Sequence, residues 1–437
     1  MGKTYRSKKL ITFAAAVFIL PGLFATSAFA APFQSSKGAV AAESTRIDRS
    51  TYTDASLYLN APTEVSTVKI GLSYGGDAVD EAEFINPAGK GFIIGVYGAD
   101  REFTGVFKVN DSHITVRADD EDREFGQLYI CNTKNGAVLY APKNGKASVA
   151  FIPESGSDGL TQYGKDRFRG GFECILGENG RLTVINYVGL EDYVKGVIPY
   201  EMSYIWPYEA LRAQAVCART YVVYNLNEYE EQGFDITGDT YSQMYRGVLQ
   251  ADKITDAAVD STAGQLVRYK GEICEIYYFA ADGGATEDGA CMFDSDRPYL
   301  IGKADPFELA QGSPYDGWTT WRSGDQLAAR LNKLGYEIGD ITEISPEYSD
   351  RGNVISVSLS DEDGNSLYFT GRECYSALGL NSCRYTVEYK KDEFLFYGSG
   401  LGHSCGLSQW GAYAMAEDYG YNYDDIIRFY FTGAYIA

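Results

Sequence analysis

Residues 193–227, YVKGVIPYEMSYIWPYEALRAQAVCARTYVVYNLN, decide how the rest of the chain is read. Glu201 stands among Ile198, Pro199, Met202, Ile205 and Trp206, in what reads as an apolar turn. Trp206-Pro207 then opens a helix that should end by about Asn227. Leu211, Ala215, Ala218 and Val222 recur at the spacing of one helical face, and the alanines let another element approach closely. Pro207 suits the first helical position, where a missing N–H costs nothing. Glu209 in the first turn favours the helix dipole. A lone carboxyl beside a small-residue packing helix points to an acid or base held by a rigid element. Two effects act on Glu201 in opposite directions. Desolvation by its apolar neighbours raises its pKa, as a general acid at neutral pH requires. The electropositive start of the following helix lowers it. A solvated turn glutamate is the plainer alternative.

Away from this stretch the pattern is mostly β. Val68–Leu72, Phe92–Val96 and Leu182–Ile185 read as strands, and Asn135-Gly136 and Asn144-Gly145 suit tight hairpin turns. Strands return at Gln265–Tyr269 and Ile273–Phe279 around a turn at Lys270-Gly271, and another pair brackets Asp363-Gly364-Asn365. Two helices, Ser408–Glu417 and Asn422–Phe431, close the chain. The expected fold is α+β, a β-rich core with a central alanine-rich helix and C-terminal helices.

The chain has 437 residues, long enough for two or three domains, and its 45% apolar content can fill a real core. Its start is a processing segment. Lys3, Arg6, Lys8 and Lys9 precede an apolar run from Leu10 to Phe24, and Ala28-Phe29-Ala30 has the form of a cleavage site. We expect a signal peptide over 1–30, with an uncleaved anchor as the alternative, then a flexible lead-in over 31–64 and a β-rich domain over 65–150. The remainder, 151–437, forms the main domain. No other stretch is apolar and long enough to span a bilayer.

The net charge is −22, and cleavage would remove four positive charges and no negative one. Nucleic acid and anionic membrane surfaces repel such a chain. The expected place of work is outside the cytoplasm, secreted or associated with a cell wall. Eight cysteines without a C-x-x-C pair allow disulfides in an exported protein. Cys374 and Cys383 are close enough in sequence for a small loop bridge, while Cys217 reads as a buried thiol. With two histidines, His113 and His403, a zinc site is not expected.

Two further constellations carry polar groups. Residues 400–411, GLGHSCGLSQWG, bring His403, Ser408, Gln409 and Trp410 together around glycines that permit close backbone approach. They suit a groove that binds hydroxyls, with Trp410 as a stacking face, or a tight strand-to-helix turn whose glycines serve packing. Residues 241–247, YSQMYRG, add Gln243 and Tyr245, and Arg219 lies on the alanine helix, where a structural ion pair is the plainer role.

Together these segments resemble the stage II sporulation protein D (SpoIID/LytB) family. Residues 190–202, LEDYVKGVIPYEM, look like the family's LEDYLxGVVPxEM, and residues 209–221, EALRAQAVCARTY, are similar to EALKAQAVAARTY. Residues 242–247, SQMYRG, resemble CQVYxG. Residues 282–286 with 298–300 resemble SxGGxT…PYL, and residues 400–411 resemble GxGxGHGVGxSQxGA. Gly371-Arg372 and residues 378–382, LGLNS, complete the set. The likeness covers about 165–437 and makes 151–437 the catalytic domain.

The resemblance implies lytic transglycosylation of peptidoglycan, cutting the β-1,4 bond between N-acetylmuramic acid and N-acetylglucosamine and leaving a 1,6-anhydro end. Glu201 maps onto the family's PxEM glutamate, which acts first as acid and then as base. One carboxyl suffices because the sugar's own 6-hydroxyl attacks, whereas a glycosidase using water normally needs two. Arg219, Gln243, Tyr245, His403, Ser408, Gln409 and Trp410 are the candidate glycan contacts. Three departures stand out. Some members bind zinc through Cys and His near CQVY, and residues 239–243 here hold neither, so no metal or other cofactor is expected. The GHGVG motif reads GHSCG. Sporulation members are membrane-anchored, whereas this export segment looks cleavable, which favours a secreted member. The expected partners are glycan strands. The alternative is a non-catalytic wall-binding enhancer of an N-acetylmuramoyl-L-alanine amidase, and a structural surface protein is a third reading.

Overall fold

A computed structural model describes residues 65–118, 128–142, 148–154, 159–177 and 180–437. The expected signal peptide, the lead-in and the Asn144-Gly145 turn lie outside the described residues.

The first half is two β-sheets packed face to face. In chain order the strands are β1 (Thr67–Ser73), β2 (Glu81–Ile85), β3 (Phe92–Tyr97), β4 (Phe103–Val109), β5 (His113–Ala118), β6 (Leu128–Asn132), β7 (Val138–Tyr140), β8 (Ser148–Pro153), β9 (Thr161–Tyr163), β10 (Asp166–Phe168), β11 (Gly171–Leu176), β12 (Leu182–Gly189) and β13 (Ile236–Thr237). One sheet has the order β13-β1-β12-β11-β8-β3-β4, the other β10-β9-β2-β5-β6-β7. Alternation decides which side chains turn inward. In β2, Ala82 and Phe84 are buried between exposed Glu81 and Glu83, and the Phe84 ring meets Phe151 and Phe172 of the facing sheet at 4.8 and 5.1 Å. The expected strands at Val68, Phe92 and Leu182 are β1, β3 and β12. Asn135-Gly136 lies in the β6–β7 turn, with Gly136 at φ 71°. The expected division between residues 150 and 151 falls inside β8, which pairs with β3 on one side and β11 on the other. The sandwich is therefore built from both sides of that point.

Nine helices follow among the described residues: α1 (Leu190–Glu201), α2 (Tyr208–Tyr224), α3 (Lys253–Asp260), α4 (Gly289–Phe293), α5 (Pro306–Gln311), α6 (Gly324–Lys333), α7 (Glu373–Ser376), α8 (Gln409–Glu417) and α9 (Tyr423–Tyr430). The expected apolar turn around Glu201 is instead the end of α1. Leu190, Tyr193, Val194, Val197 and Ile198 bury one face of that helix. Pro199 is tolerated because it sits in the last turn, where it forfeits a single backbone bond. Helix α2 starts one residue later than expected, with Pro207 as its cap rather than its first residue. Ala210, Ala213, Ala215 and Ala218 are fully buried, and α1, α3, α8 and α9 pack around them. Helices α8 and α9 are the expected C-terminal pair, capped by Ser408 and Asn422.

Between them, residues 318–398 form two three-stranded sheets, of which the strands Val354–Asp361 and Ser366–Thr370 are the expected pair bracketing Asp363-Gly364-Asn365. All eight cysteines are free thiols, so Cys374 and Cys383 are not bridged. Cys374 Sγ bonds instead to the Phe369 carbonyl and Cys383 Sγ to Ser404 Oγ. Among the described residues no helix is long and apolar enough to cross a membrane.

Candidate active site

Three elements meet at Glu201. It is the last residue of α1, and Gln409, the first residue of α8, donates Nε2–H to its Oε2 at 3.1 Å. A short parallel pairing sets Tyr278 opposite Leu407 and Phe279 opposite Ser408, which brings Tyr278 beside the start of α8. The Tyr278 hydroxyl lies near enough to Glu201 to lower the pKa of its carboxyl.

Behind Tyr278 runs a buried relay. Gln243 Nε2–H donates to Tyr278 Oη at 2.8 Å, and Tyr193 O–H donates to Gln243 Oε1 at 2.9 Å. Tyr278 accepts from Gln243, which leaves its own proton free to turn to the carboxyl. Burial, reinforced by the Glu201 charge, pushes the Tyr278 phenol well above its ordinary range and keeps that proton in place.

Burial raises the Glu201 pKa from 4.5 to about 7, against the lowering effect of the Gln409 hydrogen bond and the Tyr278 hydroxyl. The helix field adds to burial rather than opposing it, because Glu201 lies at the negative, C-terminal end of α1 and not at the start of α2. A carboxyl at about 7 is poised to give a proton and take it back near neutrality. As a residue Glu201 is half-buried, while its carboxyl is desolvated enough to raise its pKa.

An aromatic cluster is built from the residues that follow Glu201 and Gln409 in the chain. Trp206 and Trp410 stand 5.1 Å apart, and Tyr413 lies 5.2 and 5.3 Å from them. Tyr204 and Ile205, on the loop that leaves Glu201, are 53% and 74% exposed. Such flat apolar faces suit the C–H faces of sugar rings.

Of the candidate contacts the structure sets Gln409 against Glu201, with Trp410 next to it in the chain, while Gln243 is itself buried and is bonded to Tyr278. Others face inward. Arg219 is fully buried and forms a two-pronged ion pair with Glu191 at 2.6 and 2.9 Å. Tyr245 donates to Asn186 Oδ1 at 2.9 Å inside the core. Ser408, also fully buried, caps α8 by accepting from the Gly411 N–H, and donates to Glu308 at 2.7 Å. His403 sits between aromatic rings, and burial lowers its pKa to about 3. Its Nε2 faces the Tyr278 carbonyl at 3.1 Å and its Nδ1 faces the Cys405 N–H at 3.2 Å. A carbonyl only accepts, so Nε2 carries the proton and the ring is a neutral brace for Tyr278. Tyr278, Tyr193 and Trp206 were not singled out from sequence. Tyr278 lies in an apolar strand stretch, where nothing distinguishes it from a core tyrosine.

A separate cavity of about 590 Å³ lies beyond the same strand, lined by Tyr221, Glu228, Tyr277, Phe293 and Arg372 among others, and Glu201 does not line it. Zinc, carried by some proteins with the resembling motifs, does not fit the residues present. Residues 239–243 offer no thiol or imidazole. Ser242 Oγ is bonded to the Thr237 N–H and hydroxyl at 3.2 and 3.1 Å, and the Asp239 carboxylate is taken by Tyr74, Thr237 and Tyr241. Among the described residues the trio Glu287, Asp288 and Cys291 is close enough to hold a cation, but Arg351 already pairs with both carboxylates at 2.7 and 3.1 Å.

Comparison with known proteins gives the chain a matching family model and several relatives. The family model described as SpoIID, stage II sporulation protein, matches residues 178–269, which hold Tyr193, Glu201 and Gln243. An uncharacterized protein of Brachyspira hyodysenteriae is 34% identical over 296 residues, covering 67% of this chain and 77% of its own length. Stage II sporulation protein D of Bacillus subtilis is 29% identical over 272 residues, 58% of this chain and 76% of that protein. The amidase enhancer of the same organism is 29% identical over 291 residues, 55% of this chain but 39% of the enhancer. With its helix pair α1–α2 inside the matched span, and with the Brachyspira protein and the Bacillus sporulation protein each covered over about three quarters of their length, the chain belongs to the stage II sporulation protein D family.

Proposed function

We propose that this chain is a peptidoglycan lytic transglycosylase of cell-wall remodelling or sporulation, exported to the wall and acting on glycan strands. One observation carries the reading: a single carboxyl with its pKa raised to about 7, held by the Gln409 amide and followed in the chain by residues of an aromatic cluster. Protonated Glu201 gives its proton to the bridging oxygen as the bond to the muramic acid anomeric carbon breaks. The resulting carboxylate, steadied by Gln409 and Tyr278, takes the proton of the 6-hydroxyl as that oxygen attacks the same carbon. The donor is regenerated and no water is consumed. The neutral donors Gln409 and Tyr278 suit both states, because they stabilise the carboxylate without fixing it as one.

The test is a muropeptide digest by mass spectrometry on intact and peptide-stripped sacculi, with the native chain and Glu201→Gln. The reading expects anhydro-muramyl ends from the native chain and a near-complete loss in the variant. Full activity of the variant, or no anhydro ends on either substrate, defeats it. The likeness to a protein named amidase enhancer supports a second reading, a wall-binding partner of an amidase. That reading expects amidase stimulation that survives Glu201→Gln.

A further inference from the structure

Three carboxyl side chains lie behind α8, and the chemistry above does not use them. Asp282 and Asp305 are fully buried and Glu308 is 2% exposed. Glu308 accepts the N–H groups of Asp282 and Gly283 at 2.8 and 3.1 Å and the Ser408 hydroxyl at 2.7 Å. Asp305 caps α5, accepting from the Phe307 and Glu308 N–H groups through Oδ1, and takes the Tyr430 hydroxyl on Oδ2 at 2.6 Å. Asp282 Oδ1 accepts the Gly284 N–H at 2.7 Å. No N–H or O–H group of the described residues reaches buried Asp282 Oδ2, and the neighbouring Asp305 and Glu308 carboxyls add to burial in raising the Asp282 pKa. Two carboxylates only accept, so any hydrogen bond between Asp282 and Asp305 requires a proton between them.

The other charged group near the cluster is Lys303, which faces Asp305. Burial lowers the Lys303 ammonium to about 8, and it is engaged by the Phe429 carbonyl and Thr432. From α9 the cluster receives Tyr430, and from the start of α8 the Ser408 hydroxyl and Gly411. A Cβ at Gly411 would stand 1.9 Å from Tyr430 Oη and 2.4 Å from Asp305 Oδ2, so α8 rests directly on the carboxyls.

We infer that Asp282 and Asp305 share one proton, and that this bridged pair with Glu308 is the seat that fixes α8 and holds Gln409 against Glu201. Asp282, Asp305 and Glu308 are then positioning residues. Their meaning for catalysis rests on the transglycosylase proposal, but their effect on the Glu201 carboxyl does not. The sign of the linkage follows from Asp282, whose pKa burial and its carboxyl neighbours push well above the ordinary aspartate range. A group raised in the folded state contributes stability that is whole below the unfolded pKa. That contribution is lost as pH rises through the folded one.

Two measurements on the full chain test this. The first is Tm against pH in a Glu201→Gln background, which removes that carboxyl's own titration, with and without Asp282→Asn. The amide donates to Asp305 at every pH, so the added substitution should flatten the alkaline fall in Tm. An unchanged alkaline slope overturns the shared proton. The second is the carbon-13 titration of the Glu201 carboxyl, assigned by its absence in Glu201→Gln. Gly411→Ala should move that titration to higher pH as Gln409 withdraws, and the milder Ser408→Ala should move it the same way if Gly411→Ala does not fold. A Glu201 titration that stays in place with α8 unseated overturns the positioning role. Neither readout uses substrate, so a failed glycan digest leaves both results standing.

Discussion

Glu201 and the Asp282–Asp305–Glu308 cluster are two answers to one physical problem, a carboxyl taken out of water. In both places desolvation pushes protons onto the acid. They differ in access and in the partners supplied. Glu201 ends a helix, is half-buried as a residue and meets an amide and a phenol, groups that do not titrate in the working range. The cluster is sealed under α8 and meets backbone N–H groups, two hydroxyls and other carboxyls. A raised pKa therefore does not by itself mark a catalytic acid. A half-buried position whose chain neighbours carry an aromatic cluster makes the difference, and the sealed cluster serves architecture.

The comparison can be broken at several points. The largest effect belongs to Glu201→Gln, which should reduce glycan cleavage roughly 10²–10⁴-fold in a muropeptide assay. The same substitution should stabilise the fold. Glu201 is raised from 4.5 to about 7, so the native state pays to ionise it as pH climbs between those values. Chemical denaturation should find the variant more stable by about 3 kcal/mol above pH 7, with no gain near pH 4.

Glu308→Ala removes the acceptor of two N–H groups and one hydroxyl in a closed interior. It should cost roughly 3 kcal/mol in urea melts, from buried donors left without partners. A cost under 1 kcal/mol would mean that water enters the cluster, and the contrast with Glu201 would fail. Next comes Gly196→Ala on α1. Its Cβ would meet Tyr245 at 2.4 Å, and the overpacking should lower stability by about 1–3 kcal/mol. The smallest effect is that of Gln409→Ala. It deletes one hydrogen bond to the Glu201 carboxylate, worth roughly 1 kcal/mol, and the remaining balance lets burial raise the pKa further. The alkaline limb of the pH–rate profile should move to higher pH.

Much of the frame was legible because it follows period and punctuation. Strands β1, β3 and β12 alternate. Lys270-Gly271, both at positive φ, form the expected turn. Helices α8 and α9 carry their caps in the sequence. Helix α1 was hidden by Pro199, which reads as a break but sits where a proline removes only a last-turn bond. The error mattered, because it put Glu201 under the wrong helix end. The sheet of Trp318–Ser323, Tyr385–Lys390 and Glu393–Gly398 was missed since its strands carry exposed Trp321, Tyr389 and Tyr397 without a clean polar alternation.

At the site, Glu201, Gln243 and Gln409 were nameable from motifs. Tyr278 was not, because its role comes from a two-residue parallel pairing with residues 407–408 that no local pattern announces. Arg219, Ser408 and His403 are polar residues in the same motifs, yet each finds its partners in the interior. Motif membership does not separate a group that faces a ligand from one that braces its neighbour.

The most direct measurement is digestion of purified wall glycan in water enriched in oxygen-18, followed by mass spectrometry of the new ends. If Glu201 passes its proton and the 6-hydroxyl attacks, the ends are anhydro sugars free of the heavy isotope, and they vanish with Glu201→Gln. Labelled reducing ends, or unlabelled ends that persist in the variant, would contradict a single carboxyl working without water.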